Sequence, residues 1–81
     1  MNTMDQLLRL LAQCLNTSEA DLSIDTRSDD LDTWDSLAVI NLAISLEGEY
    51  GVALTAEEVE QLKSVKAIVE ILGRHQIVIA F

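Results

Sequence analysis

The stretch DSLAVINLAISLEGEYG, residues 35–51, decides the fold of this chain of 81 residues. Apolar residues recur in it every three or four positions, which is the spacing of an α-helix. Asp35 is a residue type that caps helix starts, and Gly51 is the type that follows helix ends. The stretch therefore predicts a helix from Ser36 to about Tyr50.

Two apolar stripes run along this predicted helix. Leu37, Ile40 and Ile44 form the first stripe. The second contains four residues, Val39, Ala43, Leu46 and Tyr50. A helix that is apolar around more than half of its circumference is either central in the fold or offers an exposed apolar strip to another molecule.

The residues before this helix predict another helix and a long loop. Thr3 and Gln6 form a capping box, and the apolar spacing behind it predicts a helix from about Met4 to Leu15. Residues 16–35 break the helical period and hold six of the seven aspartates, so they predict a loop. Its spaced apolar anchors, Leu22, Ile24, Leu31 and Trp34, are expected to hold it against the core.

The residues after residue 51 predict two more helices. Thr55 and Glu58 form a second capping box, which opens a short helix that ends near Leu62. Ser64 is suited to cap a last helix, which we expect to stop at Gly73.

The predicted fold class is all-α, a small four-helix bundle with three longer helices, one short helix and a long loop between helices 1 and 2. We expect a single domain over residues 1–81, with the bundle at about 3–73 and a tail at 74–81. The tail segment Ile77–Phe81 is expected to pack along the bundle. The alternative is that it forms a docking or self-association surface.

The net charge of −9 narrows the kinds of partner. Residues 21–60 contain 11 acids and one base, Arg27. A field of that sign repels phosphate backbones and anionic lipid, so we expect no nucleic-acid or membrane partner. Because the chain contains neither a secretory signal nor an apolar run of membrane-spanning length, we expect a cytoplasmic protein.

No set of residues predicts an enzyme. His75 lies just past the last helix without a recognisable nucleophile nearby, and we expect it to be exposed. Cys14 is a lone cysteine on an apolar helix face, so it predicts neither a disulfide nor a zinc site. The loop aspartates do not match the spacing of a calcium-binding loop, and no metal site is predicted.

The most informative side chain is Ser36. It lies where a long loop meets a helix, so another enzyme can reach its hydroxyl. The free amides and positive dipole end of a helix start suit a phosphodiester on that oxygen. An unmodified serine that merely caps the helix is the alternative, and it predicts a loss of about 1 kcal/mol on Ser36→Ala.

The Asp35-Ser36-Leu37 triplet, the helix that ends in Leu46-Glu47-Gly48-Glu49-Tyr50, and the segment 55–72 resemble the acyl carrier protein family. The resemblance extends from helix 1 to Gly73. It implies a non-catalytic carrier in which a transferase attaches 4′-phosphopantetheine from coenzyme A to Ser36. The arm would then hold acyl groups as thioesters.

The resemblance also assigns roles to neighbouring residues. Asp35 would cap the helix and flank the attachment site, and Leu37 and Ile44 would be apolar contacts for partner enzymes. Four acids fall where family members attract basic partners: Glu47, Glu49, Glu57 and Glu60. The partners implied are a phosphopantetheinyl transferase, an acyl-loading or adenylating enzyme and downstream acyl-processing enzymes. The carrier itself is expected to be a monomer.

Two departures from the housekeeping fatty-acid pattern point to a specialised pathway. Thr33 replaces the usual glycine two residues before the triplet aspartate, and no charge occurs from Leu37 to Leu46. We therefore expect a stand-alone carrier of polyketide, nonribosomal peptide or related biosynthesis. An aminoacyl or peptidyl carrier of the same fold is one alternative. An unmodified acidic helical interaction module is the alternative from a different class.

Overall fold

A computed structural model describes residues 2–80. Its helices are α1 (Met4–Cys14), α2 (Ser36–Tyr50), α3 (Ala56–Glu60) and α4 (Val65–Arg74). Two single turns of 3₁₀ helix, Glu19–Asp21 and Ser28–Asp30, interrupt the long loop. The all-α fold with three longer helices and one short helix is confirmed. No helix within the described residues is both long enough and apolar enough to cross a membrane.

Side-chain caps start the helices where the sequence places them. Both predicted capping boxes form, at Thr3 with Gln6 and at Thr55 with Glu58. Ser64 accepts a hydrogen bond from the Ala67 amide at the start of α4. Because each cap satisfies amides that have no partner inside the helix, these starts are encoded locally.

The central element is α2, which packs against α1 and α3. One side of it is buried through four residues, Ala38, Leu42, Ala43 and Leu46. The opposite side leaves Leu37, Ile40 and Ile44 exposed. α2 is therefore central in the fold and also presents an apolar strip to solvent, so both alternatives predicted from its two apolar stripes are present.

The long loop is fastened to the connection between α3 and α4. The Ser28 amide donates to the Lys63 carbonyl at 2.7 Å, and the Val65 amide donates to the Thr26 carbonyl at 3.0 Å. The buried Trp34 donates from Nε1 to the Leu62 carbonyl at 3.1 Å. These bonds hold the loop against the connection between α3 and α4.

The prediction that Gly73 stops the last helix is wrong. α4 continues through Gly73 to Arg74, and the positive φ of 63° falls on Gln76. The Ile77 amide then donates to the Leu72 carbonyl at 2.9 Å, which turns the chain back toward the bundle. The left-handed backbone at this turn therefore falls on Gln76 and not on Gly73, although glycine adopts that conformation at lower cost.

The tail packs along the bundle, as expected, over the residues described. Ile79 is buried, and the Met4 amide donates to the Ala80 carbonyl at 2.8 Å. Val78 remains exposed. Phe81, which the predicted tail segment also includes, lies outside the described residues.

The expectation of an exposed His75 is also wrong. Its ring is half-buried, and Nε2 lies 3.0 Å from Oε1 and 3.1 Å from Oε2 of Glu58. Glu58 is itself buried in α3 and also accepts a hydrogen bond from the Thr55 amide. The pair connects the short helix α3 to the end of α4, a contact between residues 17 positions apart.

This contact predicts an acid-sensitive contribution to stability. The Thr55 amide and the His75 ring hold the pKa of Glu58 below its ordinary value, although burial opposes them. A lowered folded-state pKa stabilises the fold above the unfolded pKa, and the stabilisation is lost as the pH falls through the folded value. We expect His75→Ala to lower the free energy of unfolding at neutral pH. The difference in this free energy between the variant and the wild type should shrink below about pH 4.5.

Urea unfolding at neutral and acidic pH measures this difference. His75→Gln, which keeps a side-chain donor, should retain part of the stability. A gap between wild type and His75→Ala that stays constant through the acidic range would contradict the assignment.

Candidate functional site

Ser36 is the first residue of α2, and Asp35 caps the helix in front of it. The Asp35 carboxylate accepts a hydrogen bond from the Ala38 amide at 2.9 Å, and its carbonyl accepts one from the Val39 amide at 3.0 Å. Ser36 is exposed, and its hydroxyl makes no hydrogen bond to the rest of residues 2–80. Since the cap belongs to Asp35, the serine hydroxyl is left available for chemistry.

The surroundings of this hydroxyl fit a phosphodiester. Among the described residues, the amides of Ser36 and Leu37 have no partner inside the chain, as expected for the first turn of a helix. The positive end of the helix dipole lies at the same place and favours a negatively charged group there. The residues present therefore fit a phosphate ester on Ser36.

A groove of about 450 Å³ lies next to Ser36. Ser36 and six other residues line it: Val39, Ile40, Val59, Glu60, Leu62 and Lys63. Four of the seven are apolar, while Glu60 and Lys63 contribute opposite charges. The groove therefore offers a largely apolar lining next to the serine.

An exposed apolar stripe continues from Ser36 along the outer side of α2. Leu37 is 67% exposed, Ile40 53% and Ile44 62%. Their spacing of three and four residues puts them on one face of the helix. The sequence predicts Leu37 and Ile44 as partner contacts and places Ile40 in the same stripe without a role.

The four predicted acids lie in different surroundings. Glu60 lines the groove beside Ser36, and Glu57 is exposed in the first turn of α3. Glu47 is half-buried and accepts a hydrogen bond from the Leu54 amide at 2.9 Å. Glu49 is exposed and lines a separate cavity together with Arg9 and other residues of α1. The structure thus brings Glu60 to Ser36 and leaves Glu49 near α1.

Lys63 is a residue of the site that the sequence alone does not reveal. It lies between α3 and α4 and reaches the groove because Trp34 and Ser28 hydrogen-bond to the carbonyls of Leu62 and Lys63. A buried tryptophan needs a partner for its indole N–H, so the sequence signals such a bond. It does not identify which carbonyl accepts it.

No group of three or more His, Cys, Asp and Glu side chains in the described part of the chain could hold a metal ion. The lone Cys14 is half-buried, with its sulfur 3.3 Å from the Ser45 hydroxyl oxygen. Neither feature adds chemistry to the site at Ser36.

Comparison with known proteins gives one family. A family model described as "Phosphopantetheine attachment site" matches residues 5–72. The acyl carrier protein of Petrotoga mobilis is 32% identical over 70 residues, which cover 85% of this chain and 81% of that protein.

The fold agrees with the same family. The solution NMR structure of holo acyl carrier protein from Geobacter metallireducens matches with a TM-score of 0.75 and 31% identity. The match covers 91% of this chain and 85% of that chain. This chain therefore belongs to the acyl carrier protein family: it is a carrier with covalently attached phosphopantetheine, and it is not an enzyme.

Proposed function

We propose that Ser36 is the attachment point of the 4′-phosphopantetheine arm. The observation that carries this proposal is the exposed, unbonded Ser36 hydroxyl at the start of α2, within the triplet that resembles the family's attachment motif. When attached, the group supplies a terminal thiol that binds acyl cargo as a thioester. The chain itself contributes the nucleophilic oxygen, the Asp35 cap that orients the helix start, and the groove beside it.

The test is to incubate the purified chain with coenzyme A and a phosphopantetheinyl transferase and to measure its intact mass. We expect a mass gain of one arm, located by proteolysis on the peptide that contains Ser36. A chain that gains no arm, or gains it on another residue, would refute the proposal.

The enzymes that act on Ser36 would dock on the apolar stripe Leu37, Ile40 and Ile44. The stripe is continuous with the modified serine, so any enzyme that reaches Ser36 comes against it. α2 carries no charge from Leu37 to Leu46, which favours a partner whose contact surface is apolar. The four predicted acids, Glu47, Glu49, Glu57 and Glu60, would attract basic regions of that partner and speed encounter.

Truncation of the stripe should weaken productive encounter without unfolding the chain. Leu37→Ala or Ile44→Ala is expected to lower kcat/KM for arm transfer by roughly 5–30-fold, since an apolar contact at the centre of an interface is worth about 1–2 kcal/mol. The unfolding free energy should stay within about 0.5 kcal/mol, because both side chains are exposed.

Val78→Ala is the matched control for the stripe. Val78 is 78% exposed and apolar but lies in the tail, outside α2. Its variant should load at the wild-type rate. Equal rates for all three variants would mean that the stripe is not the docking surface.

We further propose that this carrier works in the cytoplasm in a specialised polyketide, nonribosomal peptide or related pathway. The support is Thr33 in place of the family's usual glycine and the uncharged first ten residues after Ser36. Loading assays with acyltransferases and with adenylating enzymes distinguish an acyl from an aminoacyl cargo. Loading by a housekeeping fatty-acid acyltransferase alone would contradict the assignment to a specialised pathway.

A further inference from the structure

Three of the five basic residues of this acidic chain line one cavity. Arg27 comes from the long loop, and Lys63 and Lys66 lie on either side of Ser64 at the start of α4. The cavity has a volume of about 330 Å³, and its remaining wall is formed by Ile24, Asp25 and Ser64. Asp25 is the one carboxylate among these lining residues, so the wall carries an excess of positive charge.

Backbone pairing holds this cationic cluster, defined as Arg27, Lys63 and Lys66, in place. Arg27 and Ser64 form an antiparallel bridge, which the Ser28-to-Lys63 and Val65-to-Thr26 hydrogen bonds close at 2.7 and 3.0 Å. The bridge brings a residue of the long loop beside residues that lie more than 30 positions later in the chain. The three charges are thus placed together by the fold.

Two acids lie near the cationic cluster: Asp25 in the cavity wall, and Asp30, whose carboxylate accepts a hydrogen bond from the Arg27 backbone amide at 2.9 Å. Within residues 2–80, none of the three has a carboxylate within ion-pair distance. The two other basic side chains do have partners: Arg9 pairs with Glu19, and Arg74 donates to Gln61. Three like charges around a small cavity repel one another, and an anion that entered would relieve that repulsion.

The cluster is connected to the groove beside Ser36. Lys63 lines both the groove and the cationic cavity. Within the groove, Glu60 is the one carboxylate among the lining residues and Lys63 is the one cation. If the far end of a tethered cargo carries a negative charge and passes Lys63, it enters the cavity that Arg27 and Lys66 also line.

We propose that Arg27, Lys63 and Lys66 form a subsite for the free carboxylate of a dicarboxylic acyl cargo tethered at Ser36. This inference rests on Ser36 being the attachment point. Exposed cations hold a free carboxylate only weakly, but a short flexible tether presents its end at an effective concentration on the order of millimolar. A site with millimolar affinity is then occupied for a substantial fraction of the time. The subsite selects a carboxylate over a methyl group at the end of the cargo.

Amide NMR spectra of two loaded forms test the proposal. The arm is transferred from glutaryl-coenzyme A or pentanoyl-coenzyme A, whose acyl groups have equal carbon counts and differ by a terminal carboxylate. We expect the amide signals of Arg27, Ser64 and Lys66 to move in the glutaryl form relative to the pentanoyl form. The movement should decrease as salt is added, because the pair is partly exposed to solvent.

Charge variants identify the groups responsible. The double variant Lys63→Gln/Lys66→Gln should lose the difference between the two loaded forms. Arg9→Gln, which removes a cation on another face of the protein, should keep the difference between the two loaded forms. Free glutarate added to the pentanoyl form at a concentration well below millimolar should leave the signals in place, because only the tethered carboxylate reaches a millimolar effective concentration.

Three results would overturn the subsite: the same spectra for both cargoes, a difference that survives in the double variant, or an equal response to free glutarate. Intact mass separates these results from failure of the attachment proposal. A chain that loads both acyl groups but shows no difference refutes the subsite alone, whereas a chain that does not load refutes the attachment at Ser36.

Discussion

Ser36→Ala is expected to abolish the mass gain on incubation with coenzyme A and a phosphopantetheinyl transferase. The substitution removes the only atom in the triplet that is proposed to form the phosphodiester, and no neighbouring hydroxyl replaces it within Asp35-Ser36-Leu37. Loading should fall to the detection limit of intact mass spectrometry and not merely slow down.

The same variant distinguishes a carrier from an unmodified interaction module. A capping serine would cost about 1 kcal/mol on replacement by alanine. Here the Asp35 carboxylate, and not Ser36, accepts the hydrogen bond from the Ala38 amide. We therefore expect Ser36→Ala to change the unfolding free energy by less than about 0.5 kcal/mol. Loss of loading with unchanged stability is the combination that the carrier function requires.

Ser18→Ala is the matched control. Ser18 is an exposed serine that also precedes a helical turn, where its side chain accepts a hydrogen bond from the Ala20 amide. Its variant should gain the arm as the wild type does. Loading of Ser36→Ala, or loss of loading in Ser18→Ala, would contradict attachment at Ser36.

Among the substitutions proposed for this chain, Trp34→Ala is expected to lower the free energy of unfolding the most. The indole is buried at 6% exposure and donates to the Leu62 carbonyl at 3.1 Å. Removing a buried aromatic side chain costs about 3–5 kcal/mol through lost burial and the cavity left behind. Since small domains are stable by only about 5–15 kcal/mol, urea or thermal unfolding should show a large shift.

Trp34→Phe separates the hydrogen bond from the packing. Phenylalanine keeps most of the apolar contact but leaves the Leu62 carbonyl without its donor, which costs about 1–3 kcal/mol. Thr33→Ala, at the exposed neighbouring position, should stay within about 0.5 kcal/mol of the wild type. A Trp34→Ala chain as stable as the wild type would show that the indole does not fasten the loop.

The helices could be predicted because their starts depend on neighbours in the chain. Thr3, Asp35, Thr55 and Ser64 each accept a hydrogen bond from an amide three residues later. Such contacts form in any context that allows a helix, so residue types at fixed spacing are enough to place them. The end of α2 could be predicted for the same reason, because Gly51 directly follows the helix and has a φ of 65°.

The two errors concern residues whose surroundings come from elsewhere in the chain. Gly73 lies inside α4 because the tail turns at Gln76, where Ile79 can reach its buried place beside the N-terminal segment. His75 is half-buried because α3 brings Glu58 to it. Neither position shows a local pattern that reveals these contacts.

The residues of the candidate site fall into the same two groups, those that the sequence predicts and those that depend on contacts between distant parts of the chain. Ser36, its Asp35 cap and the apolar spacing of α2 follow from the sequence alone, because one helix start and one helix period contain them. The groove at Lys63 and the cationic cluster do not, since they exist only once the loop has joined the α3–α4 connection. Hydrogen bonds between residues about 28 positions or more apart, such as Trp34 to Leu62, close that surface. Spacing along a chain encodes what one helix presents, whereas only folding decides which distant residues share a surface.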